Sequence, residues 1–436
     1  MQQKQKDTGL VWFRNNLRVN DNISLSKATQ NHNKVIAVFF FDPKLFEKDK
    51  FGFRKTEKFR AKFLIETVKD LKQNLADLNI TLLTYFDNPE NRIYKLCEEF
   101  FVDTIYTQKE WTFEEANTNY RIKESIPNSL HIIDDYDQFL YHPEKVTNDF
   151  SRIPDVFSIF RKKAEKYVEV LPEVIPKKML DYNIIEQKTS IPTLKDLSFA
   201  NIKIIKKSAF PFLGGENAAL ERLEYYFFES KKIAFYKKTR NGLLGKDYST
   251  KFSPWLANGS ISAKKIYWKV KEFEQKHGAN QSTYWVIFEL IWRDYFKFIS
   301  LKYNSNIFKI GGILDRDYEW KNNQNIIQNW INGETKDDFV NANMVELKET
   351  GWMSNRGRQN VASYFAKELL QDWRIGAAYF ESMLLDYDVH SNYGNWMYVA
   401  GVGNDPRDRK FNTRLQAERY DSNYKFRDLW LQKTLF

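Results

Sequence analysis

Over the first 135 residues, short and almost uniformly apolar runs alternate with longer charged stretches. The apolar runs are rich in β-branched and aromatic residues, which favour strands. Five strands are predicted: LVWFR (10–14), VIAVFFFD (35–42), ITLLTYF (80–86), TIYTQ (104–108) and LHIIDD (130–135). The stretches between them have the length and polarity of helices. Strands that are apolar throughout and alternate with helices are typical of a doubly wound parallel sheet.

The pattern changes after position 135. Five prolines interrupt the next region: Pro143, Pro154, Pro172, Pro176 and Pro192. Proline at this density predicts an irregular connection. From position 205 onward the period becomes helical, as in ENAALERLEYYFFESKKI and VASYFAKELLQDW. We therefore predict an α/β domain at 1–135, an interdomain connector at 136–204 and an all-α domain at 205–436.

Composition narrows the class of protein. A hydrophobic content of 42% with 16% aromatics allows a large core. The one cysteine, Cys97, excludes an intrachain disulfide, a thiolate zinc site and a cysteine-ligated iron–sulfur cluster. A net charge of +10 permits an anionic partner such as nucleic acid, although a generically basic surface gives the same charge. No apolar run is long enough to span a bilayer, and the first residues lack a signal-peptide core. We expect a soluble, cytoplasmic protein.

One stretch predicts a phosphate site. The first strand leads into FRNNLRVND, which is not a glycine-rich dinucleotide turn. In YSTKFSPWLANGSIS (248–262), by contrast, Ser253 before Pro254 predicts a helix N-cap, and Ser249, Thr250 and Lys251 lie just ahead of it. Hydroxyls, a cation and free backbone N–H groups at a helix start form a phosphate cradle. A purely structural cap is the alternative.

A second stretch predicts a surface for a flat ring. In FELIWRDYFKFI (288–299), a helix would place Glu289, Trp292, Arg293 and Phe296 on one face. An acid and a base beside two aromatics could bind a flat polar ring by stacking and hydrogen bonding. The alternative is a core stripe with a Glu–Arg pair at its edge.

A third stretch, GWMSNRGRQN (351–360), is rich in hydrogen-bond donors. It brings together Asn355, Arg356, Arg358 and Gln359 immediately before an apolar run. This pattern indicates a helix that begins with donor side chains. A surface loop is the alternative.

The polar stretch DYDVHSNYGNW (386–396) is the fourth. If it is helical, then Asp388, Asn392 and Trp396 share one face at intervals of four residues. His390 lies two residues from Asp388 and therefore on a different face. Because a transition-metal site needs several His or Cys ligands at suitable spacing, we predict no metal here.

Together these stretches resemble the photolyase/cryptochrome family, and in detail its cryptochrome DASH branch. The residues that carry the resemblance are GLVWFRNNLRVNDN, DYSTKFSPWLANGSIS, STYWVIFELIWRDYFKFIS, TGWMSNRGRQNVASYFAKELLQDWR and LLDYDVHSNYGNWMYVAGVGNDPR. They are spread over nearly the whole chain. The resemblance implies an N-terminal antenna domain and a C-terminal helical domain that holds FAD in a folded conformation.

The resemblance also assigns the FAD site. The implied contacts to the phosphates and the ribityl chain are Tyr236, Ser249, Thr250, Lys251, Phe252 and Ser253. The implied contacts around the isoalloxazine ring are Arg293, Asn355, Arg358, Asp386, Asp388 and Asn392. In this scheme Arg358 pairs with Asp386, both aspartates meet the ring edge, and Asn392 faces the flavin N5.

The activity implied by the resemblance is light-driven repair of cyclobutane pyrimidine dimers by electron transfer from reduced flavin. Glu289 would hydrogen-bond the dimer, Trp292 would pack on it, and Asn355 would contact both dimer and flavin. The implied electron-transfer chain consists of Trp396, Trp373 and Trp320.

Two positions in the implied dimer pocket depart from photolyases that repair duplex DNA. Those enzymes carry methionine and tryptophan where this chain has Gln359 and Tyr398, two features of the DASH branch. Flipping a base from a duplex costs a few kcal/mol, while base stacking on an aromatic contributes roughly 1–3 kcal/mol. A smaller aromatic platform therefore predicts repair of single-stranded DNA and poor repair of duplexes.

The identity of the antenna and the in vivo role stay open. Glu110 in QKEWTFEEA matches an acid that contacts methenyltetrahydrofolate in DASH proteins, although an empty site or a second flavin is also possible. The alternative role is a blue-light receptor that signals without repair. Asn392 favours repair, because plant receptors carry aspartate there and animal receptors cysteine. A (6-4) photolyase would need a histidine within GWMSNRGRQN, which has none. We expect a monomer.

Overall fold

The computed structural model describes residues 7–186, 188–202 and 205–432. The two ends of the chain and the predicted boundary at 204 lie outside these residues. An α/β part occupies the N-terminal region and a helical part the C-terminal region, as the sequence predicts.

The α/β part is built on one sheet of five parallel strands. The strands are β1 (Thr8–Phe13), β2 (Lys34–Phe40), β3 (Leu82–Tyr85), β4 (Thr104–Gln108) and β5 (His131–Asp135). Their spatial order is β3-β2-β1-β4-β5. The strands β2 and β3 are therefore added on one side of β1, and β4 and β5 on the other. β1 is buried along its whole length because helices cover both faces. This arrangement confirms the predicted doubly wound sheet.

Helices make up most of the remaining structure. Those around the sheet are α1 (Ile23–Asn31), α2 (Lys58–Ala76), α3 (Pro89–Glu99) and α4 (Phe113–Ser125). Those that follow are α5 (Pro143–Val146), α6 (Phe157–Tyr167), α7 (Glu216–Glu224), α8 (Tyr236–Thr239), α9 (Ser253–Ala257), α10 (Ala263–His277), α11 (Gln281–Tyr303), α12 (Gln324–Asn332), α13 (Asp338–Thr350), α14 (Asn355–Ser363), α15 (Trp373–Met383), α16 (Val389–Ala400), α17 (Thr413–Tyr420) and α18 (Lys425–Leu431). None of the helices in the described ranges is both long and apolar enough to cross a membrane.

The region between the two parts is more ordered than the sequence predicts. It contains α6, an 11-residue helix, so the expectation of an irregular connector throughout is wrong for this stretch. Phe157 at the start of α6 stacks on Trp292 of α11, with ring centroids 3.6 Å apart. The reason is that an amphipathic helix gains more by burying its apolar face against α11 than it would by remaining extended.

Buried charged groups join the α/β part to the helical part. Arg18, in the loop after β1, forms a buried ion pair with Asp137 at 2.9 Å and donates to the carbonyl of Gly259. Asp294 of α11 accepts from the backbone N–H groups of Leu140 and Tyr141. Because these groups are shielded from water, their mutual pairing fixes the relative position of the sheet and α11.

Candidate functional site

A cavity with about 560 Å³ of empty space lies between α14, α15 and α16. Seven residues predicted from sequence line it: Asn355, Arg358, Gln359, Asp386, Asp388, Asn392 and Trp396. They come from two stretches that are well separated along the chain. The donors at the start of α14 therefore face the polar wall formed by α16 and the segment before it, and the two stretches that the resemblance assigns to one site lie together.

Two buried carboxylates in this cavity are held by cations. Arg358 Nη2 lies 3.0 Å from Asp386 Oδ1, and its Nε donates to the carbonyl of Met353. Asp388 caps α16 through the backbone N–H of Ser391 and pairs with Lys297 of α11 at 2.7 Å. Lys297 lowers the pKa of Asp388 far below its usual range, despite burial. Both carboxylates are therefore fixed in position at the cavity wall.

Asn392 presents its amide in a fixed orientation. Its Nδ2 donates to the carbonyl of Ala377 on α15, which leaves the Oδ1 atom directed elsewhere. Trp396, one turn further along α16, packs tightly against α15 at Gly376. A Cβ atom at Gly376 would approach the indole to 2.2 Å, so only glycine fits there. The predicted common face of Asp388, Asn392 and Trp396 is thereby confirmed, with Asp388 as the N-cap rather than a helical residue.

The loop predicted to hold phosphates has a buried cation with no protein partner. Lys251 is 2% exposed, has a left-handed backbone conformation with φ of 65°, and its Nζ makes no hydrogen bond. The Nζ lies over the rings of Tyr248 and Trp352. Burial lowers the pKa of Lys251 well below its usual value. A buried ammonium without an acceptor is unfavourable unless an anion binds beside it.

The helix start in this loop differs from the prediction. α9 begins at Ser253 and its cap residue is Phe252, whose backbone is already helical (φ −74°, ψ −12°). Ser253 therefore lies inside the first turn, and no side chain caps the helix. The predicted hydroxyl cap is wrong by one residue. The neighbouring prediction of a proline in the first turn, Pro254, is confirmed.

Arg222 organises the same loop and was not predicted. Its guanidinium donates to the backbone carbonyls of Lys246, Ser249 and Thr250 and pairs with Asp247 at 2.7 Å. These bonds fix the backbone of the loop at Lys246, Ser249 and Thr250. Arg222 lies about 25 residues upstream on α7, and no local pattern marks it.

Glu289 and Arg293 do not form an ion pair with each other, although the sequence allowed such a pair at the edge of a core stripe. Glu289 pairs with Arg240 at 2.8 Å, and Arg240 lies beside the buried Tyr236 of α8. Arg293 donates instead to the carbonyls of Gln138 and Leu256. Burial raises the pKa of Glu289 although Arg240 opposes the shift. Glu289, Tyr236 and Arg293 are not among the residues that line the cavity.

An aromatic surface adjoins Glu289 on α11. Trp292 packs against Phe296, as the predicted helix face requires, and is stacked on Phe157. Tyr398 meets Trp292 edge to face at 6.0 Å, and its hydroxyl accepts a hydrogen bond from Arg409. The positions predicted to set the size of the aromatic platform, Trp292 and Tyr398, are therefore in contact.

The three tryptophans of the predicted chain share one apolar cluster. Trp396 and Trp373 are 2% and 0% exposed, whereas Trp320 is half-buried and so lies nearer the surface. The indole in ring contact with Trp396 is Trp330, edge to face at 6.3 Å, which was not predicted. Trp373 donates its Nε1 hydrogen to the carbonyl of Ile310.

Glu110 lies at the carboxyl edge of the sheet, directly after β4. Its side chain accepts a hydrogen bond from Gln108 at 2.7 Å. Burial raises the pKa of Glu110 to about 7, against the opposing effect of Arg14. Ligands of open α/β sheets bind at this edge, so the position fits the predicted antenna contact without assigning it.

Comparison with known proteins identifies the family. The profile for the FAD binding domain of DNA photolyase matches residues 285–434, and the profile for DNA photolyase matches residues 9–178. Cryptochrome DASH of Xenopus laevis is 43% identical over 425 residues, which cover 96% of this chain and 81% of that protein. The chain belongs to the cryptochrome DASH branch of the photolyase family.

Solved structures of cryptochrome and photolyase relatives share the fold. The cryptochrome of Synechocystis sp. PCC6803 is 40% identical and superposes with a TM-score of 0.92, over 98% of this chain and 89% of that one. An archaeal photolyase from Sulfolobus tokodaii, solved with two FAD molecules, is 25% identical with a TM-score of 0.77, over 98% of this chain and 90% of that one.

The residues of this chain fit the FAD that its domain binds. The buried Nζ of Lys251, which makes no hydrogen bond, suits a diphosphate. The cavity between α14 and α16 offers acceptors, donors and the apolar Trp396 to a flat ring. Among the described residues, no three His, Cys, Asp or Glu side chains lie close enough together to hold a metal ion.

Proposed function

We propose that the protein repairs cyclobutane pyrimidine dimers in single-stranded DNA, driven by blue or near-ultraviolet light. The observation that carries this proposal is the cavity in which Asn355, Arg358, Asp386 and Asn392 converge. Tyr398, on the helix α16 that lines this cavity, contacts Trp292 of α11. Bound FAD supplies the electron that splits the dimer and takes it back afterwards. The chain itself positions the two reactants and stabilises charge.

Each side chain then has a task that its contacts support. Asp386 and Asp388, fixed by Arg358 and Lys297, hydrogen-bond the edge of the ring. Asn392, oriented by its bond to Ala377, keeps its Oδ1 for a ring nitrogen whose protonation varies. An acceptor oxygen at this position would pair with the protonated form of that nitrogen, and the neutral amide adds no charge beside the ring.

The dimer would lie against the surface of α11. Trp292 provides the stacking face, and the carboxyl group of Glu289 hydrogen-bonds the dimer. The Glu289 carboxyl is buried beside Arg240, and burial raises its pKa while Arg240 opposes the shift. Asn355 and Gln359 line the cavity between this surface and the ring site. Because the platform consists of Trp292 and the smaller Tyr398, it favours bases that need not be pulled from a duplex.

We also propose that the protein acts as a monomer in the cytoplasm. The chain has a single cysteine, the buried Cys97, and therefore forms no intrachain disulfide, as a reducing compartment allows.

Illumination of the purified protein with dimer-containing oligonucleotides tests this function. We expect a yellow protein that, once reduced and lit, restores single strands at least about tenfold faster than duplexes, since tenfold corresponds to about 1.4 kcal/mol. Liquid chromatography of the oligonucleotide measures repair. A protein that lacks flavin would refute the site. A flavin-loaded protein that repairs neither substrate would support a blue-light receptor instead.

We also propose that methenyltetrahydrofolate binds beside Glu110 as the antenna. We expect Glu110→Ala to remove a near-ultraviolet absorption band that persists when the flavin is reduced, because the buried carboxyl would no longer hydrogen-bond the pterin. Absorption spectra of the purified variants measure this. Glu115→Ala, which removes a neighbouring acid on α4, is the control and should keep the band. A spectrum that shows only flavin in the native protein would favour an empty site, and a second equivalent of flavin would favour a flavin antenna.

A further inference from the structure

Trp111 occupies the boundary between the α/β part and the helical part. It follows Glu110 in the loop after β4, and its indole stacks on the ring of His390 with centroids 4.6 Å apart and planes 20° apart. Phe139 stacks on Trp111 at 5.6 Å, and Tyr136 meets it edge to face at 5.7 Å. No role for Trp111 follows from the motifs that define the flavin site.

The indole nitrogen of Trp111 belongs to a short hydrogen-bonded chain. Trp111 Nε1 donates to Ser300 Oγ at 2.8 Å, and Ser300 Oγ lies 2.7 Å from His390 Nδ1. Indole is a donor only, so Ser300 must accept from it. His390 is 2% exposed, and burial lowers its pKa well below the usual value. Because the Ser300 hydroxyl donates its only proton to the carbonyl of Lys297, its Oγ accepts from both Trp111 Nε1 and His390 Nδ1, which ties the two rings together.

The same histidine lies directly behind the flavin cavity. His390 is in the first turn of α16, whereas Asp388, Ser391 and Asn392 on either side of it line the cavity. Trp111 is thus separated from the cavity by this one helical turn and the His390 ring. An α-helix with its side chains is about 10 Å across. Electrons cross a protein layer of this thickness readily when aromatic and hydrogen-bonded groups bridge it.

We propose that Trp111 is a second electron donor to the flavin, reaching it through His390 on the side opposite to the Trp396 chain. This inference rests on the proposed flavin site. One electron would leave the Trp111 indole for the flavin, which leaves an indole radical cation stacked on the His390 ring. The radical cation then takes one electron from a thiolate reductant, which becomes a thiyl radical, and Trp111 is restored with its Nε1 proton in place.

The decisive experiment removes the electron route through Trp396 and measures the flavin photoreduction that remains. Trp396→Phe removes the cavity-side indole of the predicted chain and with it any branch through Trp330. In this background we expect slow flavin photoreduction under dithiothreitol, and Trp111→Phe should slow it further by about tenfold. Phenylalanine keeps the stacking on His390 but is not oxidised. Trp111→Tyr, which restores an oxidisable ring, should recover part of the rate.

Trp268→Phe in the same background is the matched control. Trp268 lies on α10, is 39% exposed and donates its Nε1 hydrogen to the carbonyl of Leu171, away from the cavity. This variant should leave the rate unchanged. Transient electron paramagnetic resonance should show a tryptophan radical in Trp396→Phe that is absent when Trp111 is also phenylalanine.

A readout that needs no turnover completes the test. Titration of FAD into the apoprotein should quench less indole fluorescence in the Trp111→Phe variant than in the Trp268→Phe variant. Equal residual photoreduction and the same radical signal with and without Trp111 would overturn the inference, provided that the proteins hold flavin. A native protein that fails to hold flavin at all would overturn the proposed function instead.

Discussion

Replacing Arg358 by methionine is expected to abolish FAD binding. The guanidinium of Arg358 is the cation beside Asp386, whose carboxylate is 2% exposed. Removing one partner of a buried ion pair typically costs about 3–5 kcal/mol, because the other charge is left uncompensated. If that loss falls on the bound state, the dissociation constant for FAD rises by at least about 100-fold. Flavin content after purification and titration of FAD into apoprotein measure the effect.

A second ion pair in the chain provides the matched control. Arg427 pairs with Asp421 at 2.9 Å, and the Asp421 carboxylate is also 2% exposed, but neither residue lines the cavity. We expect Arg427→Met to lower the melting temperature while the affinity for FAD is unchanged. The double variant R358M/D386N should recover thermal stability without recovering FAD. Normal FAD affinity in R358M would contradict the assignment of this pair to the flavin site.

Helix geometry explains why part of the site could be read from the sequence. Once DYDVHSNYGNW is helical, a spacing of four residues is enough to place Asn392 and Trp396 on one face. The donors of GWMSNRGRQN follow from the same reasoning, because they cluster within the first turn of α14. The fold was predictable for a similar reason, since uniformly apolar strands require cover on both faces.

Other parts of the site depend on contacts that no local pattern encodes. Lys297 lies 91 residues before its partner Asp388, and Arg240 lies 49 residues before Glu289. Tertiary packing alone decides which cation meets which acid, so the sequence could offer a Glu289–Arg293 pair that does not form. The contact of Phe157 with Trp292 was not predicted because the prolines around Phe157 indicated an irregular segment. The contact of Trp330 with Trp396 was not predicted because no family motif covers Trp330.

We expect the choice of DNA substrate to depend on Gln359 and Tyr398, so that a larger aromatic pocket should change it. We expect Tyr398→Trp combined with Gln359→Met to raise repair of dimers in duplex DNA by about tenfold or more, since a base on an aromatic platform gains roughly 1–3 kcal/mol. Repair of single strands should change little, because no pairing has to be broken there. Rates of repair on matched single- and double-stranded oligonucleotides measure the effect.

The structure indicates how each change would act. Tyr398 meets Trp292 edge to face, so an indole in its place extends the aromatic surface beside Trp292. Gln359 accepts from Arg356 at 2.9 Å, and methionine would replace that polar contact with apolar surface while Arg356 keeps its bond to Asn241.

Tyr398→Phe is the control for the loss of the bond from Arg409 to the Tyr398 hydroxyl, and it should leave duplex repair at its original level.

The free-energy cost of flipping a base and the gain from stacking it are close in size. Flipping a nucleotide out of a duplex costs a few kcal/mol, a figure that describes photolyases and other base-flipping enzymes as a class. Because that cost and the stacking gain are similar in size, a modest increase in aromatic surface can move a dimer from the helix into the pocket. If the double variant binds and repairs single strands normally but gains nothing on duplexes, the platform does not set substrate choice. The barrier would then lie in admitting the paired strand to the surface around Trp292.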